Sequence, residues 1–259
     1  VIGWAAGWSG GWFERVGVMP RRESVCLKSA VLALVLFATV VASGGAARPV
    51  ELAGHVTPAV TGLPPGVNAP EGSNQLVTVL VPNGASTSGT LQAWSRGPGG
   101  AWTSALGPVR VRVGTQGVGT TNESLNRTPR GTFDLPSAFG RQANPGTKMP
   151  YRKVDNSDWW VSDSRSAAYN TYRRCAPGSC TFDEKAGENL GRAGASYDYA
   201  VVIGYNTAPV RSGAGSAFFV HVDAGVASAG CVVTPRDSVI ALLRWLDPAQ
   251  HPRITIGLG

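Results

Sequence analysis

The sequence predicts a mainly β fold, and three observations carry that expectation. Glycine and proline together supply 52 of the 259 residues, more turn material than a helical bundle accommodates. Short runs dense in Val, Ile, Thr and aromatic residues recur between those turns. A single segment near the C-terminus has a clear helical apolar period.

Taken from the start, residues 1–18 (VIGWAAGWSGGWFERVGV) have no core-forming pattern. They are expected to be an over-extended reading frame, with Met19 as the true start. Residues 19–47 have the layout of a secretory signal peptide. Arg21, Arg22 and Lys28 precede an uncharged apolar run from Ala30 to Ala42, and small residues follow. Val41-Ala42-Ser43 or Gly45-Ala46-Ala47 would be the cleavage point. The run is short for a membrane span, which takes roughly 20 residues; an uncleaved N-terminal anchor is the alternative. Cys26 precedes the apolar run, so it does not occupy a lipoprotein position. Export to the cell envelope is the expected destination. Residues 48–72 are rich in Pro and Gly and read as a linker, with His55 a solvated side chain.

The domain is expected over residues 73–259. Strands are predicted over Gln75 to Val81 and Gly89 to Arg96. A turn, Gly97 to Gly100, comes before AWTS. Val109 to Gly114 alternates Val and Arg, the period of a half-buried strand. Thr132 to Leu135 follows a Pro-Arg-Gly turn. Tyr199 to Asn206, Ser216 to Val222 and Ile254 to Ile256 complete the strands. Residues 141–198 hold Trp159, Trp160, Tyr169 and Tyr172 without clear periodicity, and are expected to be a functional insertion or partly helical. The predicted helix has Thr234 as N-cap, Pro235 at its first position and Asp237 close to a capping box. Val239, Leu242, Leu243 and Leu246 form its apolar face, and Asp247-Pro248 ends it.

The net charge of +7 is spread thinly, with no run of five basic residues. No nucleic-acid partner is expected. A basic surface suits an anionic polymer such as a cell wall. Among the four cysteines, Cys175 and Cys180 flank the turn Ala-Pro-Gly-Ser and are expected to pair. Cys231 is then left over. A reactive thiol, a buried inert thiol and a bond to Cys175 or Cys180 all stay open on counting alone.

His221 and Cys231 lie ten residues apart in SAFFVHVDAGVASAGCVVTP. His221 falls near the end of an apolar strand, and Cys231 just before the helix cap. A thiolate near a helix N-terminus has a lowered pKa, and a neighbouring imidazole can take its proton. Gly230 would let a substrate approach the N–H groups of Gly230 and Cys231, an oxyanion hole. A core histidine satisfied by backbone is the other reading of His221. One His and one Cys are too few ligands for a metal, so neither metal nor cofactor is expected.

This segment resembles the signature of the YkuD-type L,D-transpeptidases, a strand-end histidine followed by a Ser/Thr-His-Gly-Cys box. The matching residues are His221 and then Ser228-Ala229-Gly230-Cys231-Val232. TPRGTFDLPSAFG and YAVVIGYN are similar to further family segments, and the resemblance covers roughly residues 73–257. Ala229 replaces the family's second histidine, and the stretch from His221 to Cys231 is shorter than the usual loop. The resemblance implies a YkuD-like β-sandwich with a few helices, one of them following Cys231. It implies Cys231 as nucleophile, His221 as proton acceptor and donor, and the Val222 carbonyl as the group that orients His221. Asp223 would orient His221 or simply close a turn. Ser228, Ala229 and Arg236 would meet substrate; Ser228 capping a turn and Arg236 a solvated helix side chain are the other readings. The partners would be peptidoglycan stem peptides, and the product a three-to-three cross-link. Resolution by water would instead give carboxypeptidase trimming. A non-catalytic wall-binding module of the same fold is the competing class, and a thiol-disulfide protein built on Cys175 and Cys180 the third.

Overall fold

The β expectation is met by fifteen strands and one α-helix in a computed structural model that describes residues 60–259. The expected over-extended start, signal peptide or anchor, Cys26, His55 and residues 48–59 of the linker lie outside the described residues. Strands β1 (Gln75–Val81), β2 (Ser88–Arg96) and β3 (Trp102–Arg112) form an antiparallel meander. Short strands follow: β4 (Val118–Gly119), β5 (Thr128–Pro129), β6 (Gly131–Asp134), β7 (Ala138–Gly140) and β8 (Tyr151–Lys153). Next come β9 (Asp158–Trp160), β10 (Tyr172–Arg174), β11 (Glu188–Asn189) and β12 (Ala200–Val202). The chain ends with β13 (Phe219–Val222), β14 (Val232–Thr234), α1 (Arg236–Trp245) and β15 (Arg253–Leu258).

Ten of these strands make one mixed sheet in the order β6-β15-β1-β2-β3-β14-β13-β12-β7-β8. Both halves of the sheet contribute to one apolar core. Val77 and Val79 of β1, Ile254 and Ile256 of β15, Val201 of β12 and Val220 of β13 share it with Val239, Leu242 and Leu243 of α1. The helix buries the face its period predicts, with Leu246 just beyond it also buried. The opposite face of β12, β13 and β14 carries Ala200, Val202, Phe219 and Val233, with Cys231 just before β14 on the same side. Those side chains pack under Phe139, Trp160, Leu190 and Tyr197, forming a second core. His221 alternates with Val220 and Val222, so it belongs to this second face.

Several boundaries differ from expectation. AWTS and the Val/Arg run belong to the single strand β3, which tolerates register shifts against β2. β12 stops at Val202, and Asn206 beyond it has φ of 55°. β13 begins only at Phe219, because Ala217 has φ of 56°, outside any strand conformation. Pro235, not Thr234, takes the N-cap position of α1; Thr234 ends β14, and its hydroxyl donates to Arg110 O at 3.3 Å. Residues 141–198 form no α-helix. They build β8, the three-stranded sheet β10-β9-β11 and a 3-10 turn over Gly194–Tyr197. Cys175 and Cys180 are disulfide-bonded beside this small sheet, next to Trp159 and Phe182, and Cys231 is a free, buried thiol. The described end of the expected linker is docked rather than loose. Gly62 N–H donates to Trp102 O at 2.8 Å, and Leu63 and Val67 pack on Trp94 and Trp102.

Candidate active site

β13 and β14 run parallel, with His221 opposite Val233. Cys231 precedes Val233 by two positions, so Cys231 and His221 lie on the same face of adjacent strands. Both line one cavity of about 400 Å³. They are 9 % and 8 % exposed, so the cavity is their access to solvent. Its walls come from three distant parts of the chain: Asn122 to Asn126, Glu188 to Tyr197, and Ser216 to Val233.

His221 Nδ1 lies 2.9 Å from Val222 O. A carbonyl only accepts, so Nδ1 carries the proton and Nε2 is left as the acceptor. This is the contact expected of Val222. Tyr197 packs edge-on against the imidazole, ring centroids 5.0 Å apart. Burial lowers the pKa of His221, against the opposing pull of the Val222 and Ser196 carbonyls and Asp223. Asp223 itself is paired with Arg112 and accepts from Gly225 N–H at 2.7 Å, so it closes a turn and does not bond the imidazole.

The Cys231 thiol donates to Ala217 O at 3.4 Å rather than to His221. Burial, and then the neighbouring Glu188 carboxylate, push its pKa well above the ordinary thiol range. The expected help from a helix N-terminus is missing for a geometric reason. The three residues of β14 separate Cys231 from Pro235, and a helix terminus acts only over its first turn. At rest the thiol and imidazole are therefore both neutral.

The cysteine loop is held by hydroxyl groups. Ser228 Oγ donates to Cys231 O at 2.5 Å and accepts from Gly230 N–H at 3.0 Å. The Gly230 N–H is thus engaged, which corrects its expected place in an oxyanion hole. Glycine is required there for another reason: its φ is 150°, and a Cβ would stand 2.6 Å from the Phe218 ring. Thr128, in the TPRG segment, donates to Gly230 O at 2.7 Å and accepts from Gly114 N–H at 2.9 Å. Ser228 and Ala229 line the cavity. Arg236 does not: it lies exposed over the Tyr199 ring, with Asp198 at 3.6 Å.

Three residues of the site escaped the sequence reading: Thr128, Glu188 and Tyr197. Glu188 Oε1 accepts from the Tyr197 hydroxyl, in the wall beside Cys231. Desolvation raises the Glu188 carboxyl to about 7, although the tyrosine bond opposes this. Ala217 is a further special position. Its positive φ turns its carbonyl to the thiol, while its N–H donates to Asn170 Oδ1 at 3.3 Å. Among the described residues no group of three or more His, Cys, Asp or Glu side chains is placed to hold a metal ion, and no helix is long and apolar enough to cross a membrane. Comparison with protein-family models, with curated proteins and with solved structures finds no match to the chain.

Proposed function

We propose that this chain is an exported cysteine acyltransferase of peptidoglycan, an L,D-transpeptidase with a YkuD-like β-sandwich. The observation that carries the reading is the shared cavity of a free thiol and a histidine whose Nδ1–H is engaged by a backbone carbonyl. That arrangement presents Nε2 as a base and needs no acidic third member. The Ser-Ala-Gly-Cys box and the preceding histidine supply the link to stem peptides.

The chemistry starts from neutral partners. A bound stem places the carbonyl of its diamino acid near Sγ. The thiol leaves Ala217 O and gives its proton to His221 Nε2 as the C–S bond forms. The tetrahedral intermediate collapses when the imidazolium protonates the departing amine of D-alanine. An acyl-enzyme on Cys231 remains, with His221 neutral again. An amine from a second stem resolves it to a three-to-three cross-link, whereas water would release a trimmed stem. No cofactor takes part in this scheme.

The test is mass spectrometry of the exported chain after incubation with a carbapenem and, separately, with tetrapeptide-bearing muropeptides. An adduct on Cys231 and a cross-linked product are expected. Binding to wall sacculi without any Cys231 adduct would favour the non-catalytic module instead.

A further inference from the structure

The cavity has a charge unlike that of the chain around it. The protein carries 23 lysines and arginines and a net charge of +7. Yet no lysine or arginine lines the cavity, and its two carboxylates are Glu123 at the rim and Glu188 beside the thiol. The other titratable groups facing Glu188 are Tyr197, His221 and Cys231. Glu188 Oε1 takes the Tyr197 hydroxyl, while Oε2 accepts from no protein donor and the residue joins no ion pair among the described residues. A half-buried carboxylate that faces the cavity without a cationic partner, its second oxygen open to solvent, is placed to take a cationic group of a ligand.

We propose that Glu188 reads the acceptor: its carboxylate holds the primary ammonium of the incoming second substrate and takes a proton from it before the amine attacks the Cys231 thioester. This rests on the acyl-transfer reading and assigns its second step. The acceptor must lose two protons, because an alkylamine with a pKa near that of lysine, about 10.4, arrives as the ammonium at neutral pH. Glu188 removes the first. The free amine then forms the C–N bond, and the second proton passes through His221 to the departing Cys231 sulfur as the C–S bond breaks. The balance closes: ammonium, carboxylate and thioester become amide, carboxylic acid and thiol. Water needs no such preparation, so Glu188 sets the partition between cross-linking and trimming. A carboxyl whose pKa is about 7 suits a base working at neutral pH.

The experiment uses the exported chain, a tetrapeptide donor and a stem tripeptide with a free side-chain amine as acceptor. Acylation of Cys231 is followed by intact mass, and the aminolysis-to-hydrolysis ratio by product analysis. Glu188→Gln keeps an acceptor for the Tyr197 hydroxyl, and its acylation rate is measured separately so that the partition ratio is read from the formed acyl-enzyme alone. The partition ratio should fall by roughly 10². Glu188→Asp should recover part of it. Hydroxylamine, which is unprotonated at neutral pH, should be used equally well by wild type and Glu188→Gln. An unchanged partition ratio, or an equal loss with hydroxylamine, overturns the role of Glu188 alone. A wild-type chain that forms no Cys231 acyl-enzyme overturns the acyl-transfer reading and this role with it.

Discussion

At the scale of single residues, the site rests with its protons on the neutral partners. Burial holds the Cys231 thiol protonated and the His221 imidazole uncharged. Plain alkylation of Cys231 should therefore be slow at neutral pH and keep rising through about pH 10, because a protected thiol ionises late. A plateau near pH 7, measured with iodoacetamide, would show a pre-ionised thiolate and contradict this resting state. Glu188 makes a second prediction through stability. Its carboxyl is raised from 4.5 to about 7 in the folded protein, so the folded state holds that proton more tightly than the unfolded one. The resulting stability is full below about pH 4.5 and is lost as pH rises through about 7. Glu188→Gln should therefore gain on wild type by on the order of 1–2 kcal/mol between about pH 4.5 and pH 8, part of the full shift being screened by solvent at this half-buried group. Parallel pH–stability curves would remove the proposed desolvation. Gly230→Ala should cost about 1–3 kcal/mol and disturb the cysteine loop, through the Phe218 contact and the positive φ together. Chemical denaturation reads that loss directly.

Among the elements, the sequence was most legible where periodicity met burial. β1 alternates between two cores and was readable residue for residue, and so was the apolar face of α1. β13 proved shorter than its apolar run because Ala217 has positive φ, which nothing in its neighbours signals, and β12 stops at Val202, ahead of the positive φ of Asn206. The helix-dipole argument for Cys231 failed on three residues. Val-Val-Thr is a β-branched run, and it places a strand between the thiol and the helix. Glu188 and Tyr197 could not be seen at all. They lie in a segment without periodicity and reach His221 and Cys231 only through long-range folding of β11 and the 3-10 turn. Thr128 opens the TPRG segment, but its hold on Gly230 shows only in three dimensions. The disulfide belongs to this same scale. Cys175 and Cys180 close a small loop beside the three-stranded sheet, far in sequence from Cys231. Replacing both by serine should lower stability by about 2 kcal/mol, and Cys231 acylation should survive. Loss of acylation at full folding would tie the bridge to the site.

Across the described residues, one ten-stranded sheet and one helix form the main core, and the opposite face of β12 to β14 presents the candidate chemistry. The 141–198 segment packs on that face and supplies Glu188, Ala193, Ser196 and Tyr197 to the cavity wall, which turns the sheet surface into a concave site. The central claim is that His221 drives acyl transfer to Cys231. The measurement that tests it most directly is the rate of Cys231 acylation by a carbapenem against pH, in wild type and His221→Ala. Wild type should acylate at neutral pH, while His221→Ala should be slower by roughly 10² to 10⁴ there and recover as alkali ionises the thiol unaided. Coincident pH profiles for the two proteins would contradict the claim and leave Cys231 a buried thiol without a base.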